Sequence, residues 1–420
     1  MKTKLCILCL LAAMLFCCSK KKSTANATCN PPADLAPSAI TSAGATVSWS
    51  AVSGAVSYDV AYKTSASSAW INAANSTTAA SLNLSGLSSS TPYDWRVRTN
   101  CTSGSSGYSS AQFTTITGGP SVGIASQYPG DANIQNDPNI LYVEKFDDGI
   151  ANILSRYSDK INTAGMSLDT DIPTGSLGPN SIKMTTIKGV NTGGHLYKSF
   201  TPGFDSTVYI RYYVKYSSLS NGYFHHEGVW FGGYNPATDY PFPQAGTCGL
   251  GSSRLSLAYE PVWPGNPPGM DTYLYWGDMK SYDGGSTCYG NTMITEGRTD
   301  YGNPASPTLP VNALDQWMCV EVMIKLNNPV TAYNGELAVW QNGVQVGHWG
   351  SGFSNGHWLK DKWYNNPNDP PFQGFRWRTD PNLNINWLWF EFYHDDPNAP
   401  SSYIKFDHLV MATKYIGPIK

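Results

Sequence analysis

Charge is scarce in this chain. Of its 420 residues, 14% are Asp, Glu, Lys or Arg, and the formal net charge is −3. Near-neutrality, with no basic run beyond Lys20–Lys22, leaves no electrostatic footprint for nucleic acid. Long runs of helical period are missing, and turn residues interrupt the chain about every 8–12 residues, which argues against a helical bundle. The cysteines and histidines show no spacing of a zinc site. The apolar run Leu5–Phe16 is too short to span a bilayer as a helix. What is abundant is glycine (40), proline (28), tyrosine (26) and tryptophan (14), the composition of a turn-rich, extracytoplasmic β-protein.

Met1–Phe16 reads as a secretion signal, with Lys2 and Lys4 before an apolar core. The following Cys17-Cys18-Ser19 resembles a bacterial lipoprotein signal, which implies lipidation at Cys18. Cleavage before Cys17 is the alternative, and an ordinary secretory signal is the competing reading. Residues 1–18 are then the signal and 19–27 a polar tether. The resemblance implies a lipid-anchored protein of the Gram-negative outer membrane, facing either the periplasm or the outside. An oxidising compartment makes Cys29–Cys101 and Cys248–Cys288 the expected disulfides, with Cys319 left free.

Residues 28–116 carry short alternating runs: Thr46–Ser50, Ser57–Tyr62, Ser81–Leu87 and Pro92–Arg98. Trp49, the turn Leu84-Ser-Gly-Leu87 and the run Tyr93-Asp-Trp-Arg-Val-Arg98 resemble a fibronectin type III domain. The resemblance implies a small β-sandwich that spaces or binds, with Trp49 and Tyr93 in its core. Residues 117–137 read as a linker.

Residues 138–420 form the larger domain. Strand-like runs recur from Leu141–Phe146 to Tyr403–Thr413, including Gln373–Arg378, and predict two packed sheets. Gly228-Val-Trp-Phe-Gly-Gly233, the pair Trp317–Asn327 and Asn334–Gly343, and the closing run Ile404–Pro418 resemble family-14 and related polysaccharide lyases. That resemblance implies a concanavalin A-like jelly roll and a monomer acting on an acidic polysaccharide. Where those lyases carry a Lys ahead of the Gly-Gly, this chain carries His225. The fold class is therefore all-β, a fibronectin type III sandwich followed by a larger jelly-roll sandwich.

The chemistry follows from the alternation. In Tyr209–Tyr216, Tyr209, Arg211, Tyr213 and Lys215 share one face. In the next run His225 and Glu227 share a face, with His226 on the other. Both faces are expected to join in one wet floor. β-Elimination from a uronic acid needs a group that blunts the carboxylate, a base and an acid. Arg211 is the candidate neutraliser, because a guanidinium grips a carboxylate bidentately. His225 is the candidate base, and Tyr213 or Tyr393 the acid. Arg376 and Arg378 are expected to extend the cationic floor, and Trp387, Trp389 and Glu391 to bind sugar. His195, His348 and His357 read as surface or loop residues. Trp263, Trp276 and Trp358 fit either sugar stacking or packing. A glycoside hydrolase is the rival enzyme, without the Glu-x-Asp-x-x-Glu run many jelly-roll hydrolases carry, and a carbohydrate-binding lipoprotein the non-enzymatic rival. No cofactor is required, but Asp147, Asp148 and Asp407 are candidate ligands of a structural calcium.

Overall fold

The computed structural model describes residues 28–420 except 39, 41–43, 66, 86, 88–90, 116–122, 243–244, 262–265, 267, 286, 294–297, 301–302, 305–312, 367–368, 395 and 397. Cys18 with the whole leader, and Trp263, lie outside the described residues. The chain divides into two units, the second built mainly from Thr115–Lys420.

The smaller unit contains β1 (Ala36–Ser38), β2 (Gly44–Ser48), β3 (Ser57–Thr64), β4 (Ile71–Thr77), β5 (Ser81–Ser85), β6 (Pro92–Cys101), β7 (Gly104–Ser105) and β8 (Ser109–Thr114). A three-stranded sheet, β1-β2-β5, packs on a five-stranded one, β4-β3-β6-β7 with β8 also on β6. Every second residue of β6 turns inward, so Tyr93, Trp95 and Val97 are buried with Trp49, Tyr58 and Val60. A disulfide joins Cys29 to Cys101.

The larger unit begins with β9 (Ile140–Glu144), the short helix α1 (Ile150–Ser155), β10 (Asp159–Ile161), β11 (Met166–Asp169), β12 (Ser181–Thr186), β13 (Gly193–Phe204) and β14 (Thr207–Tyr216). There follow β15 (Glu227–Tyr234), β16 (Arg254–Pro261), β17 (Met270–Tyr275), and the minor pair β18 (Arg298–Asp300) and β19 (Asn303–Pro304). Then come β20 (Met318–Lys325), β21 (Glu336–Gln341), β22 (Val344–Trp349), the hairpin β23 (Gly356–Leu359) and β24 (Lys362–Asn365), β25 (Ile385–Tyr393) and β26 (Ser402–Ala412). The expected strand over Gln373–Arg378 is not one. Only Phe375 bridges, to Gly335.

Two antiparallel sheets make the sandwich. One has six strands, β10-β13-β25-β15-β16-β17, and the other eight, β11-β12-β26-β14-β20-β21-β22 with β9 also on β26. Ile210, Tyr212, Val214 and Tyr216 of β14 meet Val229 and Phe231 of β15 and Leu388, Phe390 and Phe392 of β25 in one core. Each such side chain contributes roughly 1.5–3 kcal/mol by leaving water. A second disulfide, Cys248–Cys288, closes a separation of 40 residues. Cys319 is free and buried.

The outer face of the eight-stranded sheet is covered. Residues 124–131, within the expected linker, form 3-10 turns over it. They are tied to the carboxyl-terminal segment, since Ala125 N donates to Ile416 O at 2.9 Å and Gly130 N to Lys420 O at 3.0 Å.

Candidate functional site

That cover decides the fate of the first candidate floor. Arg211 lies on β14 under it, with no exposed surface, and pairs with the equally buried Asp131. His408 Nδ1 lies 2.8 Å from the same Asp131 carboxylate. Burial pushes Asp131 up, but Arg211 and His408 outweigh it and leave its carboxyl below the usual range. Tyr213 accepts a hydrogen bond from Ile419 N at 2.8 Å. Tyr209 packs against Trp340 and Tyr415. Lys215 is held by Asp171 at 2.7 Å. The expectation that these residues share a floor with His225 is therefore corrected. They belong to the opposite sheet, and their partners come from segments far away in the chain.

Two other cationic candidates are also engaged. Arg376 forms a two-point pair with Asp278 at 2.9 and 2.6 Å. Arg378 is buried and bonds Asp205 at 2.7 Å and the carbonyl of Leu383 at 2.8 Å. Both lie off the six-stranded sheet and hold loops in place. Trp276 is core, with Trp358 packed against it.

The outer face of the six-stranded sheet is different. The register lines up three cross-strand rows. Ser199, Trp387, Gly232, Ser256 and Tyr275 form the first, and Tyr197, Trp389, Trp230, Ala258 and Tyr273 the second. The third holds His195, Glu391, Gly228, Glu260 and Asp271. Trp387 stacks between Tyr197 and Tyr234, with centroids 5.8 and 5.4 Å away. Trp389 meets Trp230 at 6.1 Å. Inward residues of the same strands fill the core, so strand alternation leaves this face for aromatics and titratable groups.

The loop entering β15 completes the site. His226 has a left-handed φ of 53°, which breaks the expected alternation. It joins the outer face instead of opposing it. Its ring lies 5.3 Å from Trp230 and 5.1 Å from Tyr273, and its Nδ1 is 3.1 Å from Glu260. His225 is 4.2 Å from His226 and 5.7 Å from the exposed Tyr393 ring. Glu227 turns inward, correcting the expectation that it faces the site beside His225. It is fully buried, with His394 Nε2 at 2.8 Å, and burial raises its carboxyl.

Three residues outside the sequence candidates stand on this face: His195, Glu260 and Tyr273. His195 is buried rather than a surface residue, with Nε2 2.9 Å from Asp159 and its ring edge-on to Trp389. Burial lowers its pKa, against the pull of Asp159. Period-two alternation in Arg254–Pro261 and Met270–Tyr275 was the signal for Glu260 and Tyr273. Glu391 is buried, and burial together with the Glu260 charge holds its carboxyl well above the usual range. A cleft on this side of the sheet is lined by His225, His226, Glu260, Asp271, Tyr273 and Lys362.

The calcium set does not fit. Among the described residues, no group of three or more His, Cys, Asp or Glu side chains is arranged to hold a metal ion. Asp148 is drawn to Arg156, while Asp407 is fully buried beneath the sheet surface. A calcium ion takes six to eight oxygens, and these side chains do not converge to supply a cage.

Fold and comparisons agree on class: the protein is all-β, and residues 30–116 match the family described as Fibronectin type III domain. Those residues are a fibronectin type III domain. The solution structure of the fn3 domain of the human collagen alpha-1(XX) chain is 26% identical, covers 24% of this chain and 99% of that one, and has a TM-score of 0.22. A crystal structure of an FN3 domain of human collagen XX is 22% identical, covers 20% and 93%, and has a TM-score of 0.19. No curated protein matches the chain.

Proposed function

We propose that the larger unit binds an acidic polysaccharide along the outer face of the six-stranded sheet and cleaves it by β-elimination. The observation that carries this reading is the His225 ring 5.7 Å from the exposed Tyr393 ring, at the cleft that His225, His226 and Glu260 line. Of the aromatic rows, the partly buried Trp389 and Tyr273 offer π-faces for the apolar faces of sugar rings, whereas Trp387, expected from the sequence to bind sugar, is fully buried between Tyr197 and Tyr234 and packs instead. His225 takes the proton from the carbon next to the uronate carboxyl. The electron pair forms the carbon–carbon double bond, the glycosidic C–O bond breaks, and Tyr393 protonates the departing oxygen. The two-sheet β-sandwich and the sequence resemblance to family-14 lyases support the same reading. A lipid on Cys18 anchors the monomeric protein to the outer membrane, and Cys18→Ser would leave the chain in the soluble fraction if so.

A glycoside hydrolase is the second reading, favoured by one observation. Glu391 and Glu260 rise from the same face on either side of Gly228, with backbones two strand spacings apart, about 9–10 Å. Inverting hydrolases hold their carboxyls at ~6.5–9.5 Å. The deciding experiment adds the protein to alginate, glucuronan, pectate and glycosaminoglycans and follows the ultraviolet absorbance of the unsaturated product. A rise identifies a lyase and its polymer. Silence with new reducing ends identifies a hydrolase. Silence with retained binding in affinity electrophoresis identifies a binding protein.

A further inference from the structure

The β23–β24 hairpin borders two openings. Its Asp361 and Lys362 line the cleft that holds His225 and His226, while Trp358 and Lys360 line a second cavity of about 510 Å³. The remaining wall of that cavity is the loop 280–284. We propose that this cavity is a further subsite for the acidic polysaccharide, where Lys280 and Lys360 receive the carboxylate of a sugar beyond the one in the cleft. This deepens the acidic-polysaccharide reading and rests on it.

Charge is the first argument. In the lining, two ammonium groups stand against one carboxylate, Asp283, whose Oδ1 accepts a bond from Gly285 N at 2.9 Å and so shapes the turn. Among the described residues no carboxylate pairs with Lys280 or Lys360. Lys215, Lys405 and Arg376, by contrast, are each held by an aspartate. Lys360 Nζ lies 4.4 Å from the centroid of the Tyr282 ring and 3.3 Å from its hydroxyl. An aromatic face holds an ammonium in place yet leaves its charge uncancelled for an arriving anion. Tyr282 is 41% exposed. Half-buried Trp358 is braced from behind by Trp276 and Trp363, and gives the cavity an apolar wall against which a sugar ring can lie.

Backbone is the second argument. Leu359 pairs with Lys362, and Lys360 opens the two-residue turn between them with a left-handed φ of 56°. Glycine suits that position and a lysine is disfavoured there. The hairpin is fastened at Thr292, whose N donates to Asp361 O at 3.1 Å and whose O accepts from Trp363 N at 2.9 Å. On the facing wall the buried Asn291 side chain accepts from Lys280 N and donates to Lys280 O, both at 2.7 Å. Both lysines therefore project from fixed backbone, which lowers the ordering cost of binding. Lys360 and Lys362 are two residues apart, at most ~7 Å along the chain, so the cavity adjoins the cleft and suits a neighbouring sugar of one polymer.

The test uses the full chain in affinity electrophoresis through alginate, glucuronan, pectate or glycosaminoglycans, with neutral dextran as the control polymer. The double variant Lys280→Gln/Lys360→Gln is expected to bind the polymer that retards wild type about tenfold more weakly, with a smaller salt dependence. On a polymer that wild type converts, the loss falls in KM rather than kcat. Lys360→Gly is expected to weaken the same binding while keeping the melting temperature, since glycine favours the turn. Should the double variant fail to fold, Lys360→Gly alone decides. Lys188→Gln/Lys414→Gln removes equal charge elsewhere on the surface and is expected to bind like wild type. Retardation of the Lys280/Lys360 variant equal to that of wild type, or of the Lys188/Lys414 variant, overturns the subsite and leaves the cleft reading standing. Weakened binding by the Lys280/Lys360 variant alone, with no unsaturated product from wild type, keeps the subsite and overturns elimination. Wild type retarded by no uronate polymer overturns both.

Discussion

Arg211 and Asp131 form an ion pair in which neither side chain has exposed surface. They are brought together from β14 and from a 3-10 turn that covers it. Breaking such a pair leaves one buried charge without its partner. Arg211→Ala is therefore expected to lower stability by about 3–5 kcal/mol, read from the urea midpoint. The folded fraction should keep its activity on polysaccharide. A normal urea midpoint with lost activity would return Arg211 to the reaction.

His225 and Tyr393 should behave in the opposite way. Tyr393 is 39% exposed, and its hydroxyl is not needed by the core. His225→Ala and Tyr393→Phe are each expected to reduce kcat about 10²–10⁴-fold with an unchanged melting temperature. Undiminished turnover in either variant would remove that residue from the mechanism.

Stability should fall toward both ends of the pH scale. Asp171, bonded by Lys215 and Lys405 against the effect of burial, is held down to about 2. Its contribution is present above the unfolded value near 4 and is lost as pH falls through about 2. Glu321 is the reverse case, since burial pushes it up to about 7 even though it accepts bonds from Ile416 N and Gly417 N. Its protonated form stabilises the fold below the unfolded value near 4.5, and that contribution is lost as pH rises through about 7. The loss is on the order of 3–4 kcal/mol at about 1.4 kcal/mol per unit. Glu321→Gln should flatten this decline in urea titrations between acid and alkaline pH. A wild-type decline that persists unchanged in the variant would assign it to another group.

The Cys248–Cys288 bond constrains the unfolded chain over a separation of 40 residues. Replacing both cysteines with serine is expected to cost about 2–4 kcal/mol. Thermal melts with and without reductant check this, and identical melts would show that the bond adds nothing to the fold.

Much of the architecture was legible in the chain. Period-two alternation in Tyr209–Tyr216 and Asn386–Tyr393 assigns side chains to faces, because successive Cβ atoms in a strand point to opposite sides. The Trp49, Leu84–Leu87 and Tyr93–Arg98 pattern marks the fibronectin type III domain, and cysteine order points to both disulfides. The Trp387, Trp389 and Glu391 face was also readable, since it follows from one strand alone.

What the chain by itself determined, then, is which residues share a face. Which face is wet was decided only in three dimensions. Arg211 and His225 both sit on alternating strands beside cationic and phenolic residues. Yet β14 lies beneath residues 124–131 and the carboxyl terminus, while the outer face of the six-stranded sheet holds the aromatic rows. The cover comes from segments distant in sequence, and periodicity is blind to distant partners. One backbone angle had a similar effect. The left-handed φ of His226 shifts the alternation at the start of β15, turning Glu227 into the interior and His226 onto the site. Local pattern reaches as far as the strand, and only packing between strands assembles the site.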